Sequence, residues 1–253
     1  MLAVNDMVNE LRYSLDSVTF ARERLGFEPD PWQQKAMRSP AKRILLNCSR
    51  QSGKSTSTAI IALHTAIYRP RSLCLMVSPS ERQSKELFKK VKGFFAELDH
   101  QPKLDEDSKL GFALANGSRV LSLPSSPDTI RGFSAVDLLI EDEAAFCQDS
   151  LYRSIRPMLA VSNGKMILMS TPRGKVGHFY EEWVNGGSEW AKIKVTAHEC
   201  PRITPEFLEQ EMNSLGSLWF NQEYMGVFAE REDSVFDHDT VMSAINPEIK
   251  PLF

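Results

Sequence analysis

Apolar runs and amphipathic stretches alternate along most of the chain. The runs that predict buried strands span residues 43–48, 72–78, 136–142, 165–171 and 191–197. The stretches with helical periodicity span residues 54–68, 80–98, 148–160 and 176–185. Because strands and helices alternate, the pattern predicts an α/β fold in which helices cover both faces of a mostly parallel sheet.

Two prolines separate the beginning of the chain from this alternating region. Residues 6–24 are polar with a helical pattern, and Pro29 and Pro31 then interrupt that pattern, since each lacks a backbone donor. We therefore expect residues 1–29 to form a helical lead-in and the core domain to follow it. Within the core, the Asn-Gly pair at residues 116–117 predicts a hairpin.

The pattern changes again after residue 200. Thr204 is a suitable N-terminal helix cap and Pro205 suits the first helical turn, so a helix is predicted to begin there. We expect residues 30–199 to form the core domain. Residues 200–253 are predicted to form a small helical lid subdomain with an acidic linker.

Composition limits the cellular setting and the kind of partner. The chain has 253 residues, 42% of them hydrophobic, and a net charge of −3, so contact with a polyanion must use a local basic surface. Its four cysteines form no Cys-X-X-Cys pair, which disfavours a zinc site or a disulfide framework. The sequence shows no apolar run of about 20 residues and no signal peptide at its start, so we expect a reduced, cytosolic setting without a membrane.

A phosphate-binding loop is the first motif that carries chemistry. Residues 47–56 read NCSRQSGKST and lie between an apolar run and a helical stretch. In such a loop the backbone amides cradle phosphate, Lys54 reaches the β- and γ-phosphates, and Ser55 is a ligand of Mg²⁺. The predicted nucleotide-binding residues of the loop are Arg50, Gln51, Ser52, Gly53, Lys54, Ser55 and Thr56.

Cys48 stands where this loop usually begins with glycine. The first position ends the strand, whereas the last four positions cradle the phosphate, so a small residue is tolerated there. We interpret Cys48 as a small buried residue at the end of a strand rather than as a redox group.

Consecutive carboxylates end the apolar run in the sequence LLIEDEAAF. Asp142 is predicted to bind the metal and Glu143 to polarise the attacking water as a general base. Because side chains alternate along a strand, Glu141 should point away from Asp142. A solvated acidic turn is a common alternative for such a strand end, but the acidic strand and the phosphate loop together favour an Mg²⁺-dependent NTPase that uses ATP.

Two hydroxyl residues, Ser170 and Thr171, end the next apolar run in the sequence MSTPRG. In NTPases whose catalytic glutamate follows the metal-binding aspartate, an additional strand lies between the phosphate-loop strand and the acidic strand. Polar residues at its tip face the γ-phosphate, so Ser170 and Thr171 are predicted to sense hydrolysis. An ordinary strand end followed by a turn is the alternative.

The segment DPWQQ precedes the first strand and offers groups for a base. Trp32 could pack on an adenine face while Gln33 or Gln34 hydrogen-bonds the base edge. A core tryptophan beside surface glutamines explains the same segment, and the sequence leaves both interpretations open.

Five motifs in this order resemble those of a known family. The segments DPWQQ, CSRQSGKS, VSPSERQS, LLIEDEAAF and MSTPRG are similar to motifs in the ATPase domain of the large terminase subunit, which packages DNA into capsids of tailed bacteriophages. The resemblance covers residues 30–236. It implies a P-loop NTPase fold of the additional-strand, catalytic-glutamate (ASCE) type with a small C-terminal helical lid.

The resemblance also implies a role for each matching residue. These roles are phosphate and Mg²⁺ binding for Lys54 and Ser55, metal binding for Asp142, water activation for Glu143, and coupling for Ser170, Thr171 and Pro172.

Two arginines receive catalytic roles from the resemblance alone. Arg50 is expected to move between phosphate and Glu143 as a coupling switch, with a surface phosphate contact as the alternative. Arg131 matches a position that can reach the nucleotide of a neighbouring subunit, where a guanidinium neutralises transition-state charge. A solvated loop arginine is the alternative for Arg131.

The sequence departs from the family in two respects. Large terminase subunits generally carry a second, nuclease domain, whereas only a short acidic segment follows the core here, so we expect no nuclease activity from this chain. We interpret the acids of that segment as a linker; they are Glu230, Glu232, Asp233, Asp237 and Asp239. The second departure is the negative net charge, which weakens the case for a DNA partner without removing it.

The resemblance implies an ATP-hydrolysing motor that moves double-stranded DNA into a procapsid. Its expected partners are DNA, the portal protein, the small terminase subunit and further copies of itself in a ring, expected to be a pentamer, whereas the isolated chain should be a monomer. The expected location is the host cytoplasm, transiently on the procapsid. A helicase-like ATPase and a non-catalytic nucleotide-gated module are the alternatives.

Overall fold

The fold is described from a computed structural model, which describes residues 4–125, 130, 132–229 and 244. The helices are α1 Val4–Leu15, α2 Ser17–Leu25, α3 Pro31–Met37, α4 Lys54–Tyr68, α5 Glu81–Glu97, α6 Asp149–Ile155, α7 Gly177–Asn185 and α8 Pro205–Met225. The strands are β1 Arg43–Cys48, β2 Leu73–Ser78, β3 Leu104–Asp107, β4 Gly111–Leu114, β5 Arg119–Pro124, β6 Leu138–Asp142, β7 Lys165–Ser170 and β8 Trp190–Val195. These elements confirm the predicted α/β alternation.

The strands form one sheet in the order β3-β4-β5-β2-β6-β7-β1-β8. The strands from β5 to β8 in that order pair in parallel, while β3 and β4 pair antiparallel at one edge. The predicted hairpin at residues 116–117 is the turn between β4 and β5. Strand β7 lies between β1 and β6, which confirms the additional strand of the ASCE type.

Two hydrophobic cores pack on the two faces of the sheet. One contains Ile140 of β6 together with residues of α2, α3, α4 and α5. The other contains Leu139 of β6 together with residues of α6 and α7. Since neighbouring residues of a strand point to opposite faces, this arrangement fixes the direction of every side chain at the end of β6.

The predicted helical lead-in consists of two helices. Asp16 separates them and caps α2, since its side chain accepts a hydrogen bond of 3.1 Å from the backbone amide of Val18. The carboxylate of Asp16 also pairs with Arg38 at 2.6 Å. Phe20 of α2 is fully buried in the core that includes α4, so α2 packs against the same core as the phosphate-loop helix.

The chain after β8 forms a helix that packs back towards the sheet. Thr204 caps α8 as predicted, with its hydroxyl accepting from Phe207 N at 3.3 Å. Gly216 has φ 75° and ψ 166°, a conformation that favours glycine, and it divides α8 into two helical segments. Beyond α8, the carbonyl of Gly226 accepts a hydrogen bond of 2.9 Å from the side chain of Asn47 in β1. Among the described residues, no helix combines the length and apolar character needed to cross a membrane.

Candidate nucleotide-binding site

The phosphate loop joins the end of β1 to the start of α4. Gly53 is the N-cap of α4 and has φ 92°, which is unfavourable for any residue with a Cβ. A Cβ at this position would also lie 2.8 Å from the side-chain nitrogen of Gln33. Glycine is therefore required here both by backbone conformation and by the close approach of α3.

A cavity of about 480 Å³ opens in front of this loop. Its lining residues are Arg50, Gln51, Ser52, Gly53, Lys54, Ser55, Thr56, Lys90, Glu143 and Arg202. Four of these side chains are cationic and one is anionic, and the N-terminus of α4 adds positive potential. The cavity therefore suits a polyphosphate, and it contains all seven loop residues that were predicted to bind nucleotide.

The acidic end of β6 lies beside this loop. Asp142 is buried, and its Oδ1 accepts a hydrogen bond of 3.0 Å from the backbone amide of Glu143. Ser55, Asp142 and Glu143 line a smaller adjoining cavity of about 110 Å³. Burial, followed by the charge of Glu143, raises the pKa of Asp142 to about 6. A buried carboxylate next to a serine hydroxyl fits a divalent cation, since oxygen ligands suit Mg²⁺.

Three side chains connect the phosphate loop, the acidic strand and the additional strand. Lys54 Nζ lies 3.1 Å from Glu143 Oε1, and Ser170 Oγ donates a hydrogen bond of 3.3 Å to Glu143 Oε2. Burial opposes the charge of Lys54, but the attraction of Glu143 and Asp142 outweighs burial and raises the pKa of Lys54. Glu143 has φ 51°, an uncommon conformation that turns it out of the strand towards Lys54. The three predicted motifs therefore meet at one carboxylate.

Strand β7, which ends at Ser170, continues into a buried turn. Thr171 is 3% exposed and Pro172 is also buried. The structure brings Ser170 into contact with Glu143, while the coupling roles of all three residues stay predictions.

Arg50 lines the cavity but pairs with α8. Its Nε lies 2.8 Å from Glu223 Oε2, and its backbone amide donates to the carbonyl of Glu223 at 2.9 Å. The partner in this structure is thus Glu223 of α8, and not Glu143. The expected movement of Arg50 between phosphate and Glu143 stays a prediction.

The structure distinguishes between the two interpretations of the DPWQQ segment. Trp32 is 7% exposed and belongs to the hydrophobic core, which favours the interpretation of a core tryptophan. The Gln33 side chain accepts from Asp30 N at 2.8 Å and donates to Gly53 O at 3.4 Å, so it supports the phosphate loop. Gln34 donates to the carbonyl of Pro29 at 2.9 Å. Base recognition by these residues stays a prediction.

Some predicted residues lie outside the described residues. They are Arg131 and the acids of the predicted linker, Glu230, Glu232, Asp233, Asp237 and Asp239.

Comparison with known proteins identifies the family. The model of the family described as "Terminase large subunit, T4likevirus-type, N-terminal" matches residues 45–241. The chain belongs to this family. It is 27% identical over 212 residues to the large terminase subunit of Escherichia phage T5, covering 80% of this chain and 48% of that relative. It is 26% identical over 252 residues to the large terminase subunit of Thermus phage G20c, covering 85% and 51%. The chain spans about half the length of these relatives.

Solved structures support the same fold. The ATPase domain of the large terminase of Thermus phage P74-26 superposes with a TM-score of 0.71 at 25% identity, covering 82% of this chain and 97% of that chain. The large terminase of phage HK97 superposes with a TM-score of 0.68 at 14% identity, covering 86% and 55%. The large terminase of phage D6E in complex with ADP has a TM-score of 0.65 at 13% identity, covering 79% and 53%. The terminase-family domain thus has the P-loop NTPase fold that its motifs predicted.

Sequence reasoning missed two cations of the site. Arg202 Nη2 lies 2.7 Å from Asp30 Oδ2 and donates to the carbonyl of Ser52 at 3.1 Å, so it ties the chain after β8 to the phosphate loop. Lys90 of α5 lines both cavities. The spacing of Gln83, Glu86 and Lys90 places them on one helical face and could have indicated their common position. No comparable signal distinguishes Arg202, because its partners are distant in sequence.

A buried charged cluster on the other face of β6 was also missed. Glu141 is fully buried, and its Oε1 lies 3.1 Å from Nε2 of His178, which begins α7. The His178 ring lies 3.1 Å from Asp149 Oδ1, and Tyr152 stacks on it at 4.4 Å. Burial alone would lower the pKa of His178, but Glu141 and Asp149 raise it above its usual value. Glu141 does point away from Asp142 as predicted, towards a cationic partner.

Proposed function

We propose that this domain hydrolyses ATP with Mg²⁺ and acts as the motor of a viral DNA-packaging terminase, moving double-stranded DNA into a procapsid. The observation that carries the proposal is the contact of Lys54, Glu143 and Ser170 at the mouth of the phosphate loop. This arrangement provides a phosphate-binding cation, a general base and, hydrogen-bonded to that base, a residue that can report on it.

The hydrolysis step can be assigned to this chain's own residues. The amides of the loop and Lys54 hold the phosphates, and Ser55 with Asp142 would hold Mg²⁺, which neutralises charge on the phosphate oxygens. Glu143 takes a proton from water as the water oxygen bonds to the γ-phosphorus, and the bond to the β-phosphate oxygen breaks with its electron pair leaving on ADP. Because Lys54 and Glu143 pair at 3.1 Å, phosphate that attracts Lys54 releases Glu143 for this task.

Hydrolysis can be communicated by two routes. Ser170 contacts Glu143, so loss of the γ-phosphate changes the hydrogen bonding of the coupling strand and of Thr171 and Pro172 beyond it. Arg50 contacts both the cavity and Glu223, so a change at the phosphate loop reaches α8. These contacts support the proposal that α8 serves as a lid.

The assembled motor requires other molecules. We propose that copies of the domain form a ring, expected to be a pentamer, that engages the portal protein and the small terminase subunit in the host cytoplasm. Arg131 would complete the nucleotide site of the neighbouring copy. No nuclease activity is expected from the 253 residues of this chain.

The function is tested by phosphate release from ATP with Mg²⁺. The wild-type chain should hydrolyse ATP slowly, and removal of Mg²⁺ with EDTA should stop the reaction. Lys54→Ala should lose both binding of a fluorescent ATP analogue and hydrolysis, whereas Lys35→Ala, on the exposed side of α3, should retain both. Hydrolysis by Lys54→Ala at the wild-type rate would refute the site assignment.

The shared site is tested by mixing two inactive variants. Arg131→Ala and Glu143→Gln should each hydrolyse ATP poorly, but a mixture should recover activity because a subunit with Glu143 can receive Arg131 from its neighbour. Trans-acting arginines contribute about 10³-fold or more in other NTPases. No recovery at concentrations where light scattering shows oligomers would exclude the trans-acting role.

A further inference from the structure

The parallel strands begin at an edge of the sheet that is opposite the phosphate loop. We define the amino edge as six basic residues that begin these strands or lie within the four residues before them: Lys42, Arg43, Arg69, Arg71, Arg119 and Lys165. The pairing register aligns them, because Leu73 lies opposite Arg119, Leu138 opposite Lys165, and Met166 opposite Arg43. The amino edge is therefore a row in space, interrupted by Asp137 before β6 and bordered by Glu189 before β8, although its basic members are scattered over more than a hundred residues of sequence.

Most of the charge of this row is not neutralised within the described part of the chain. Arg69 pairs with Asp137 at 2.8 Å, and Lys165 donates to the carbonyl of Ser39 at 2.7 Å. Arg43 donates to the carbonyl of Gly164 at 3.0 Å. Among the described residues, the side chains of the other three form no hydrogen bond or ion pair; they are Lys42, Arg71 and Arg119, and all three are exposed.

Mutual repulsion within the row favours an anionic partner. Lys42, Arg69 and Lys165 line one cavity of about 360 Å³, where Asp137 is already paired. Burial, together with the charge of Lys42, lowers the pKa of Lys165. The chain as a whole has a net charge of −3, so gathering six cations on one edge leaves the rest of the chain with an excess of negative charge.

The dimensions of the row match a nucleic-acid backbone. Arg119 of β5 and Arg43 of β1 are separated by four strand spacings of about 4.8 Å, which is roughly 19 Å. One strand of DNA carries a phosphate every 3.4 Å or so along the helix axis, so about five or six phosphates span this distance. Because each strand winds around the helix axis, a straight row of this length can contact those phosphates of the run that face it.

We propose that the amino edge is the surface through which this domain contacts the phosphate backbone of double-stranded DNA. This inference rests on the proposed function in one respect, because the proposed function identifies the polyanion as a DNA duplex. A surface of this kind binds without regard to base sequence, because its contacts are with phosphates.

The position of the amino edge also connects it with the nucleotide site. Helix α4 begins at Lys54 in the phosphate cavity and ends at Tyr68, directly before Arg69. Its 15 residues span about 22 Å, at 1.5 Å per residue. A rigid displacement of α4 on nucleotide binding would therefore move Arg69, one member of the amino edge, as well.

The test is a salt titration of DNA binding by the full chain. Binding of a fluorescent duplex oligonucleotide is measured by anisotropy without nucleotide, for the wild type and for the triple variant Lys42→Gln, Arg71→Gln, Arg119→Gln. Each lost phosphate contact should reduce the slope of log K against log salt by about 0.9, so the variant should lose about 3 in slope and 10-fold or more in affinity at low salt. ATP hydrolysis without DNA should not change.

A matched control removes the same charge elsewhere. Lys35→Gln, Lys89→Gln, Lys109→Gln alters three exposed lysines of α3, α5 and the β3–β4 turn that form no ion pair among the described residues, and it should bind DNA like the wild type. Equal losses in both triple variants, or wild-type binding by the amino-edge variant, would overturn the assignment. So would tighter binding of a single strand than of the duplex, or no duplex binding by the wild type at low salt. If the wild type binds no duplex but still hydrolyses ATP with Mg²⁺, the DNA-binding surface is refuted and the ATPase function stands. If the triple variant unfolds, each single substitution should still lower the slope by about one.

Discussion

The two faces of β6 hold neighbouring carboxylates in opposite environments. Asp142 faces α4 and borders the smaller cavity that adjoins the nucleotide cavity, whereas Glu141 faces α6 and α7 and is completely enclosed. Both are buried, and a buried carboxylate is costly unless a cation compensates it. For Glu141 the chain supplies His178 at 3.1 Å. On the other face Lys54 pairs with Glu143, and the pKa of Asp142 is raised to about 6.

This difference separates an enclosed carboxylate from one that a ligand can reach. Glu141 has a permanent ionic partner in His178, so its cluster holds the end of β6 against the start of α7, although neither of its oxygens accepts a hydrogen bond from the described residues. Asp142 is left with incomplete compensation, so a bound dication can improve its environment. The comparison teaches that a buried carboxylate that borders a cavity is available for a ligand, whereas an enclosed one depends on its protein neighbours.

The largest expected effect is the difference in kcat between Glu143→Gln and Glu141→Gln. Loss of the general base should lower kcat by about 10² to 10⁴-fold while ATP binding is retained. Glu141→Gln keeps the base and should change kcat far less. Single-turnover phosphate release and binding of a fluorescent ATP analogue measure both variants. An equal loss of kcat in the two variants would remove the proposed distinction between the faces.

The next largest expected effect is a loss of folding stability on the face of β6 that carries Glu141. His178→Ala leaves Glu141 as an uncompensated buried charge and should lower the free energy of unfolding by about 3–5 kcal/mol. Adding Glu141→Gln should restore part of the loss, because the charge is then gone. Urea unfolding of the three variants measures this cycle. A loss well below 1 kcal/mol in His178→Ala would show that Glu141 does not depend on His178.

On the face of β6 that carries Asp142, removal of the carboxylate charge should stabilise the metal-free domain. The raised pKa of Asp142 means that its ionised form is disfavoured in the folded state, so Asp142→Asn should increase the free energy of unfolding near pH 7 by about 1–3 kcal/mol. Thermal unfolding in EDTA measures this gain. Excess Mg²⁺ should then raise the unfolding temperature of the wild type but not of Asp142→Asn. Equal stabilisation of both proteins by Mg²⁺ would contradict a role for Asp142 as ligand.

The smallest expected effect is a pH dependence of the enclosed face. The pKa of His178 is raised, so the folded chain binds this proton more tightly than the unfolded chain. Its stabilising contribution is complete below the unfolded pKa of about 6.5 and is lost as pH rises through the folded pKa. The charged and titratable groups around the ring are Glu141 of β6 and Asp149 and Tyr152 of α6.

This dependence is measured as the difference in unfolding free energy between the wild type and His178→Gln across neutral pH. The wild-type advantage should shrink as pH rises. An advantage that grows with pH would show that the neutral imidazole is the stabilising form.

Much of the fold and part of the site could be predicted from local sequence. The apolar run RILLNC followed by a Gly-Lys-Ser segment predicted β1, the phosphate loop and α4, because periodicity and turn chemistry act over a few residues. Alternation along β6 predicted that Asp142 and Glu141 face opposite sides. Neither signal could give the partner of Arg50, which is Glu223 of α8.

The sequence by itself determined the order of elements and the chemical groups at the ends of β1, β6 and β7, since backbone periodicity and strand direction depend on neighbouring residues. Only the tertiary structure decided which of these charged groups have an oppositely charged partner. Trp32 became a core residue, Arg202 reached the loop through Asp30, and His178 reached Glu141 across 37 residues, because such contacts depend on how helices pack on the sheet. Whether a charged group has a partner depends on which side chains surround it in space. Contacts between segments that are distant in the sequence produce no periodic pattern along it.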